Sequence, residues 1–181
     1  MEQTKQIYLR PMEINDTERI VNWRNQEWVR RNFIYQDPFT IEGHMNWVHT
    51  QIEPGYVVQF IICTKRDDRP IGSVYFRDID RDDGTAEYGI FIGEKDAVGC
   101  GYGTVSAMEA LKYAFTKLHL HKIFLRFLAD NIAAQRSYEN AGFRMTDQTE
   151  TVTTSEGERE VRFMEIDRGM WEAACVADHI D

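Results

Sequence analysis

Residues 86–104 read "AEYGIFIGEKDAVGCGYGT", and this stretch decides the fold because an apolar run leads through a charged loop into three glycines. The apolar run has the composition of a strand, and Gly99, Gly101 and Gly103 occupy alternate positions after the loop. Beyond them, apolar side chains recur every three or four residues, which predicts an amphipathic helix over 103–119. Backbone N–H groups at the start of a helix can hold an anion, and glycine leaves room for its approach. The stretch therefore predicts a strand, a ligand-binding turn and a helix, in that order.

The spacing of the glycines separates three kinds of ligand. A Walker loop requires a lysine directly after its last glycine, and none follows here. A dinucleotide fingerprint begins directly after the strand, whereas the loop "EKDAV" intervenes in this chain. A different pyrophosphate ligand at the start of the helix therefore remains, beside the alternative of a glycine-rich turn that binds nothing.

Outward from this stretch, the chain predicts two helices before the strands and a mixed order after them. The expected strands cover residues 7–12, 56–65, 70–80, 85–93, 121–129, 143–151 and 158–167. The expected helices cover residues 17–25 after an N-cap at Asp16, 40–52 beginning at Thr40, 103–119, and 131–142 closed by Gly142. Short polar connections between the strands at 56–65, 70–80 and 85–93 predict an antiparallel meander.

Length and composition restrict the class of protein. With 181 residues, 43% of them apolar, the chain is expected to form one domain over residues 1–181. A formal net charge of −9 argues against nucleic acid as a partner, because phosphate binding needs a basic face. Without an apolar run of about 20 residues or a signal peptide, we expect a cytoplasmic protein with no membrane partner. Three widely spaced cysteines, Cys63, Cys100 and Cys175, predict buried free thiols and no metal site.

Two segments in the second half of the chain resemble one enzyme family. "GCGYGT" at 99–104 and "NIAAQRSYENAGF" at 131–143 match, in order, the two signatures of the GNAT superfamily of acyl-CoA N-acyltransferases. The resemblance implies an α+β fold with three α/β/α layers around a central mixed, mostly antiparallel twisted sheet, splayed at the cofactor strand. It also implies acetyl-CoA as cosubstrate, a small-molecule amine as acceptor and no metal, and a homodimer is compatible with it.

The resemblance assigns the cofactor-binding residues. The strand residues Ile90, Phe91 and Ile92 match those whose free backbone groups pair with pantetheine in the family, and Asn131 lies in the second signature. Pyrophosphate binding is expected at the backbone N–H groups of Val98, Gly99, Cys100, Gly101, Tyr102, Gly103 and Thr104. Val98 departs from the family, which usually has Gln or Arg at that position.

Two further residues are candidates for proton transfer. Tyr138 resembles the family's usual proton donor, because a phenol of pKa near ~10 stays protonated at pH 7 and can serve a departing thiolate. Its alternative is a tyrosine that packs in the core. Glu87 lies in the splayed strand and is the candidate base for the amine, with a solvated strand carboxylate as its alternative.

The N-terminal part resembles acetyltransferases that act on nucleotide-linked amino sugars. The matching residues, which we expect to bind the acceptor, are Trp23, Arg24, Asn25, Arg30, His44 and Trp47. Guanidinium groups bind phosphate and aromatic rings stack on a base, whereas the alternative is core aromatics and surface charges. Relatives that acetylate polyamines or ribosomal-protein N-termini remain alternatives, and a non-catalytic acyl-CoA-binding module is the alternative of another class.

Overall fold

A computed structural model describes residues 6–177 of the chain. The strands are β1 (Ile7–Pro11), β2 (Val58–Thr64), β3 (Pro70–Asp80), β4 (Thr85–Ile92), β5 (Lys122–Leu128), β6 (Arg144–Thr154) and β7 (Gly157–Asp167). The helices are α1 (Thr17–Asn25), α2 (Glu27–Arg30), α3 (Ile41–Trp47), α4 (Tyr102–Thr116), α5 (Ile132–Asn140) and α6 (Arg168–Ala177). A π-helical turn over Val48–Ile52 continues α3.

The strands form one sheet in the order β1-β2-β3-β4-β5-β7-β6. Neighbouring strands are antiparallel except β4 and β5, which run parallel and pair only over Thr85–Glu87 on the β4 side. On its other edge, β4 pairs with β3 as far as Ile92. Within residues 6–177, one edge of β4 beyond Glu87 is therefore free of strand pairing, and the predicted mixed, mostly antiparallel sheet splayed at this strand is confirmed.

Strand β2 explains why helices cover both faces of the sheet. Its successive side chains point to opposite faces, and nearly all of them are buried. Phe60 and Ile62 belong to the core beneath α4, while Ile61 and Cys63 belong to a second core with α1 and α2. An apolar run buried on both sides requires a cover on each side, so the chain forms three layers.

Helix α4 supplies the centre of the larger core. Four of its apolar side chains, Ala107, Ala110, Leu111 and Ala114, are completely shielded from solvent. The three alanines keep the helix close to the sheet, since their small side chains hold the two backbones at a short distance. The helix begins at Tyr102 and ends at Thr116, slightly earlier than the predicted 103–119.

Two helix starts were predicted from capping residues, and they differ in detail. At α3 the Thr40 hydroxyl accepts a hydrogen bond from the Gly43 N–H at 3.0 Å, as expected for an N-cap. Asp16 occupies the N-cap position of α1 but makes no side-chain cap to that helix. Its carboxylate instead accepts bonds from the Glu13 N–H and the Arg10 guanidinium, so it ties β1 to the segment before α1.

The sequence interpretation missed α2 and α6. Helix α2 is a single turn of four residues, too short to show a periodic pattern. Helix α6 follows β7 directly and is held by tertiary contacts, since Arg168 donates to the carbonyls of Phe115 and Leu120, both at 2.9 Å. The Trp171 ring also packs on Phe115, with ring centroids 5.4 Å apart.

The structure also bears on what the sequence led us to expect of the cysteines, membrane-spanning helices and metal sites. Cys63 is buried, Cys100 is half-buried and Cys175 is exposed, so the expectation of buried thiols is right only for Cys63. Between residues 6 and 177, no helix combines the length and apolar character needed to cross a membrane. The same residues contain no group of three or more His, Cys, Asp or Glu side chains arranged to hold a metal ion.

Candidate active site

A cleft of about 430 Å³ opens where β4 and β5 part. Glu87 and the free part of β4 form one wall, and the glycine-rich turn with the start of α5 forms another. The cleft brings together both predicted proton-transfer residues and the predicted cofactor-binding residues except Cys100, whose thiol lies 3.5 Å from the Asp96 carbonyl. Residues that are distant in sequence therefore meet in one cleft.

The free edge of β4 offers backbone groups to a ligand. Buried backbone N–H and C=O groups need hydrogen-bond partners, and β5 supplies none to β4 beyond Glu87. The close approach of β3 fixes the residue type at the start of this edge, because a Cβ atom at Gly89 would lie 2.2 Å from the Tyr75 ring. Packing of the Tyr75 ring thus accounts for the glycine at position 89, and the unpaired backbone of the edge can accept an extended ligand.

Glycine occupies the three positions of the turn for different structural reasons. Gly99 and Gly101 have φ of 73° and 81°, a left-handed conformation that glycine adopts without strain. A Cβ atom at Gly99 would meet no atom within 4 Å, whereas one at Gly103 would lie 3.0 Å from the Ser137 hydroxyl. Backbone conformation therefore accounts for Gly99 and Gly101, and packing against α5 accounts for Gly103, without a ligand being invoked.

The same turn presents N–H groups that have no partner within the described chain. No hydrogen bond is found there for the N–H groups of Gly99, Cys100 and Gly101, and α4 has no side-chain cap. The first turn of α4 also carries no acidic residue, so its positive dipole end is not neutralised. The N–H of Val98 is used, since it donates to the Lys95 carbonyl at 3.3 Å. The turn has the properties of an anion site from Gly99 onward.

Asn131 begins α5 beside the cleft. Its side-chain oxygen accepts a hydrogen bond from the Ala134 N–H at 3.1 Å, which caps the helix. Among the described residues the side-chain NH₂ has no partner, and Asn131 lines the cleft. The residue can therefore both hold α5 in place and donate a hydrogen bond to a ligand.

Tyr138 lies on α5 and is only 8% exposed. Its ring packs edge-on against Tyr88, Phe127 and Phe143, which fixes its position. Burial raises the pKa of Tyr138 above its usual 10.0, and Tyr75 raises it further. The raised pKa keeps its hydroxyl protonated, and that hydroxyl makes no hydrogen bond with the described residues, so it is available to a ligand in the cleft.

Glu87 is buried, so it is not a solvated strand residue. Its carboxylate accepts two bonds from Arg77, at 2.9 and 3.2 Å, and two from Arg126, at 3.1 and 3.3 Å. Arg126 also donates to Glu150 at 3.1 Å. Four donors occupy the oxygens of Glu87, and a free base would need at least one of them to leave.

The two arginines were not identified from sequence. Arg77 lies on β3 directly opposite Glu87, and Arg126 lies on β5. A charged residue within a mostly apolar strand is a signal, since Arg126 interrupts "KIFLRFL" and Arg77 follows "GSVYF". The sequence did not show that both would turn to the same carboxylate.

A second cavity of about 340 Å³ adjoins the cleft. We call it the chamber, and its lining includes Arg24, Phe39, His44, Trp47 and Gln59 together with residues that it shares with the cleft. The shared residues are Phe33, Tyr35, Tyr75, Arg77 and Phe91. Three of the six predicted acceptor residues, Arg24, His44 and Trp47, therefore come together beside the cleft.

The other three predicted acceptor residues line neither cavity. Trp23 is buried, donates to Glu94 at 2.8 Å and packs so closely on Gly93 that a Cβ atom there would lie 2.2 Å from its ring. Asn25 binds both the N–H and the carbonyl of Phe39 at 2.8 Å, which positions that wall of the chamber. Arg30 is half-buried and lies outside both cavities.

Structures of known proteins share this fold. A crystal structure of spermidine N-acetyltransferase from Vibrio cholerae in complex with CoA and spermine superposes with a TM-score of 0.84 at 25% identity, over 92% of this chain and 98% of that chain. A dodecameric structure of the Vibrio cholerae enzyme superposes with a TM-score of 0.77 at 25% identity, over 92% and 96% of the two chains.

Sequence comparison places the chain in a family. A Bacillus subtilis protein named as a probable N-acetyltransferase is 32% identical over 150 residues, which cover 77% of this chain and 81% of that protein. The spermidine N(1)-acetyltransferase of Vibrio cholerae is 29% identical over 143 residues, which cover 76% and 79%. The family model described as acetyltransferase (GNAT) domain matches residues 6–144. Because that match runs from β1 to the start of β6, the chain belongs to the GNAT acetyltransferase family and is an acetyl-CoA-dependent N-acetyltransferase.

Proposed function

We propose that acetyl-CoA lies in the cleft with pantetheine along the free edge of β4 and pyrophosphate at the turn before α4. The pantetheine arm carries two amides, which pair with a strand edge as another strand would. The pyrophosphate is an anion, which suits the N–H groups of Gly99, Cys100 and Gly101 and the start of α4. The observation that carries this proposal is the meeting of a free strand edge, free N–H groups and the Tyr138 hydroxyl in one cleft.

Tyr138 is the proton donor in the proposed reaction. The lone pair of a neutral amine forms a bond to the thioester carbonyl carbon, and the C–S bond breaks with its electrons on sulfur. The acylated nitrogen loses its extra proton to water, the Tyr138 hydroxyl gives its proton to that sulfur, and the tyrosinate takes a proton from solvent after the products leave. Because burial raises the pKa of Tyr138, the hydroxyl carries the proton throughout the neutral range.

For Glu87, the contacts support a positioning role. Its four hydrogen bonds hold Arg77 and Arg126 at the side of the cleft. A carboxylate between two guanidinium groups is a weak proton acceptor, because taking a proton would leave both positive charges less compensated. The base role inferred from sequence remains a prediction that requires one arginine to move away.

The acceptor is a primary amine, and beside the protein N-terminus considered from sequence, two classes of small molecule are candidates. The sequence pattern around Arg24 and His44 supports a nucleotide-linked amino sugar, and both residues line the chamber. The names of the Vibrio cholerae relatives support a polyamine. The two classes differ in charge, since the first is anionic and the second is cationic.

Thiol release from acetyl-CoA with a panel of amines tests the proposed function. The panel contains a UDP-linked amino sugar, spermidine and a ribosomal-protein N-terminal peptide, each compared with a reaction without amine. We expect amine-dependent release of CoA, with the acetylated amine detected by mass spectrometry. Tight CoA binding without transfer to any amine would instead identify an acyl-CoA-binding module.

We further propose an assembly of several copies. The dodecameric structure of the Vibrio cholerae enzyme supports an oligomer larger than the homodimer left open from sequence. Light scattering coupled to size-exclusion chromatography measures the mass directly, and a value near the 21.2 kDa of one chain would refute this assembly.

A further inference from the structure

Arg24 is a buried cation without a described counter-charge. It is 6% exposed, and its guanidinium makes neither a hydrogen bond nor an ion pair with the described residues. Its Nη1 is buried and has no partner between residues 6 and 177. Arg77 provides the contrast, since it lines the same chamber but is paired with Glu87 at 2.9 Å. A buried guanidinium is costly unless its donors are satisfied, so Arg24 lacks a partner that the described chain does not supply.

Aromatic rings hold the Arg24 guanidinium in place. Its central carbon lies 3.1 Å from the centroid of the Phe33 ring, 4.4 Å from Phe39 and 6.0 Å from Phe91. Ring faces attract a cation but do not accept its N–H bonds in the plane of the guanidinium. Burial lowers the pKa of Arg24 to about 10, so it stays charged at neutral pH. The rings therefore fix a charged group whose in-plane donors remain free.

His44 is a second buried group in the chamber without a full set of partners. It is 4% exposed, and its Nδ1 lies 3.1 Å from the Thr17 hydroxyl. Its Nε2 is buried and has no partner among the described residues. When Thr17 donates to Nδ1, the neutral ring carries its proton on Nε2 and becomes a donor. Arg24 and His44, which belong to two different helices, thus both line the chamber and both carry a buried nitrogen without a described partner.

Among the described residues, none that lines the chamber is an aspartate or a glutamate. A cationic group placed there would meet Arg24 without a compensating carboxylate, whereas an anionic group would supply the missing partner. The volume of about 340 Å³ lies within the range of small-molecule sites. The walls shared with the cleft place the chamber within reach of a molecule whose amine enters the cleft.

We propose that the chamber binds an anionic group, a carboxylate or a phosphate, of the amine that the enzyme acetylates, with Arg24 as its main partner. The inference rests on the proposed function and specifies its substrate class. The amine faces the cleft, the anionic group lies against Arg24 and His44, and the rings of Phe39 and Trp47 cover the apolar part between them. Polycations such as spermidine are excluded from this mode of binding by the charge of Arg24.

The test compares acceptors that differ by one anionic group. Phenylalanine is paired with phenylalaninamide for a carboxylate, an amino sugar phosphate is paired with the free amino sugar for a phosphate, and spermidine is the cationic reference. In the wild-type enzyme, the anionic member of one pair should have a kcat/KM higher by at least about tenfold. The pair that shows the preference identifies which anion the chamber takes.

Variants connect that preference to Arg24. Arg24→Gln should bring the ratio of kcat/KM within the preferred pair close to one, mainly through KM, and Arg24→Lys should restore part of it because the charge is kept. Arg31→Gln is the matched control, since it removes the same charge from an exposed residue that lines neither cavity. Its ratio should equal that of the wild type.

The outcomes separate this inference from the proposed function. Equal kcat/KM within both pairs, or a preference for spermidine in the wild-type enzyme, would overturn the anionic chamber while leaving acetyl transfer intact. These wild-type comparisons decide the question even if the Arg24 variants do not fold. Failure to acetylate any amine would overturn the proposed function and this inference together.

Discussion

Replacing Tyr138 with phenylalanine tests the proposed chemistry with little structural disturbance. The ring keeps its edge-on packing against Tyr88, Phe127 and Phe143, and the lost hydroxyl makes no hydrogen bond with the described residues. Stability should therefore change by less than about 0.5 kcal/mol. Loss of a positioned proton donor lowers turnover by about 10²- to 10⁴-fold, which corresponds to about 2.7–5.4 kcal/mol in the activation barrier.

Stopped-flow measurement of a single turnover is the appropriate assay, because it isolates transfer from product release. The affinity for CoA, measured by calorimetry, should equal that of the wild type. Full single-turnover rate in Tyr138→Phe would show that the tyrosine only packs in the core, and the assignment of the proton donor would be abandoned.

Tyr88 provides the matched control for this substitution. Its ring centroid lies 6.4 Å from that of Tyr138, and its hydroxyl is buried without a described partner. Tyr88→Phe removes an unsatisfied polar group, so it should raise stability by about 1 kcal/mol and leave the rate of transfer unchanged. A loss of rate in both variants would indicate a general sensitivity of the aromatic cluster.

Three other substitutions test the cleft and the chamber. Gly101→Ala forces alanine to a φ of 81°, which costs roughly 1–2 kcal/mol, and calorimetry should show weaker CoA binding. Gly157→Ala, at a φ of 107° on the β6–β7 turn, is its control, and similar CoA affinity in both variants would contradict the anion site. Glu87→Gln breaks the ion pair with Arg77, in which the Glu87 side chain is 8% exposed, and should lower the free energy of unfolding by about 3 kcal/mol in denaturant. Unchanged stability with an altered pH–rate profile would instead favour Glu87 as the base for the amine. Burial lowers the pKa of His44 from 6.5, so its contribution to stability is complete above about pH 6.5 and is lost as pH falls below that value. His44→Gln should make the free energy of unfolding depend less on pH between about pH 7 and 5. An unchanged slope would show that the lowered pKa of His44 is not the cause of this dependence.

Local patterns in the sequence were sufficient for the order of elements and for much of the cleft. The alternation in β2 and the repeat in α4 are properties of neighbouring residues, and each reports which faces are buried. The glycine-rich turn and the α5 signature each lie within one short segment, so their positions in the cleft followed once the family resemblance was recognised. Capping at Thr40 is likewise local, since it depends on a residue three positions away.

Contacts between distant residues were decided only by the tertiary structure. Glu87 meets Arg77, ten residues earlier, and Arg126, 39 residues later, because strand register brings all three side chains to one side of the sheet. Contacts between distant residues also anchor α6 on the C-terminal end of α4 and Trp23 on Glu94. The sequence had associated Trp23 with the acceptor.

The two neighbouring residues Trp23 and Arg24 show the physical reason most clearly. They lie side by side in α1 and were predicted together as acceptor residues, but successive side chains on a helix point about 100° apart. The tertiary packing turns Trp23 against Gly93 in the core and Arg24 between aromatic rings at the wall of the chamber. Sequence determined which residue types stood at these positions, and the docking of α1 on the sheet decided which of them could reach a ligand.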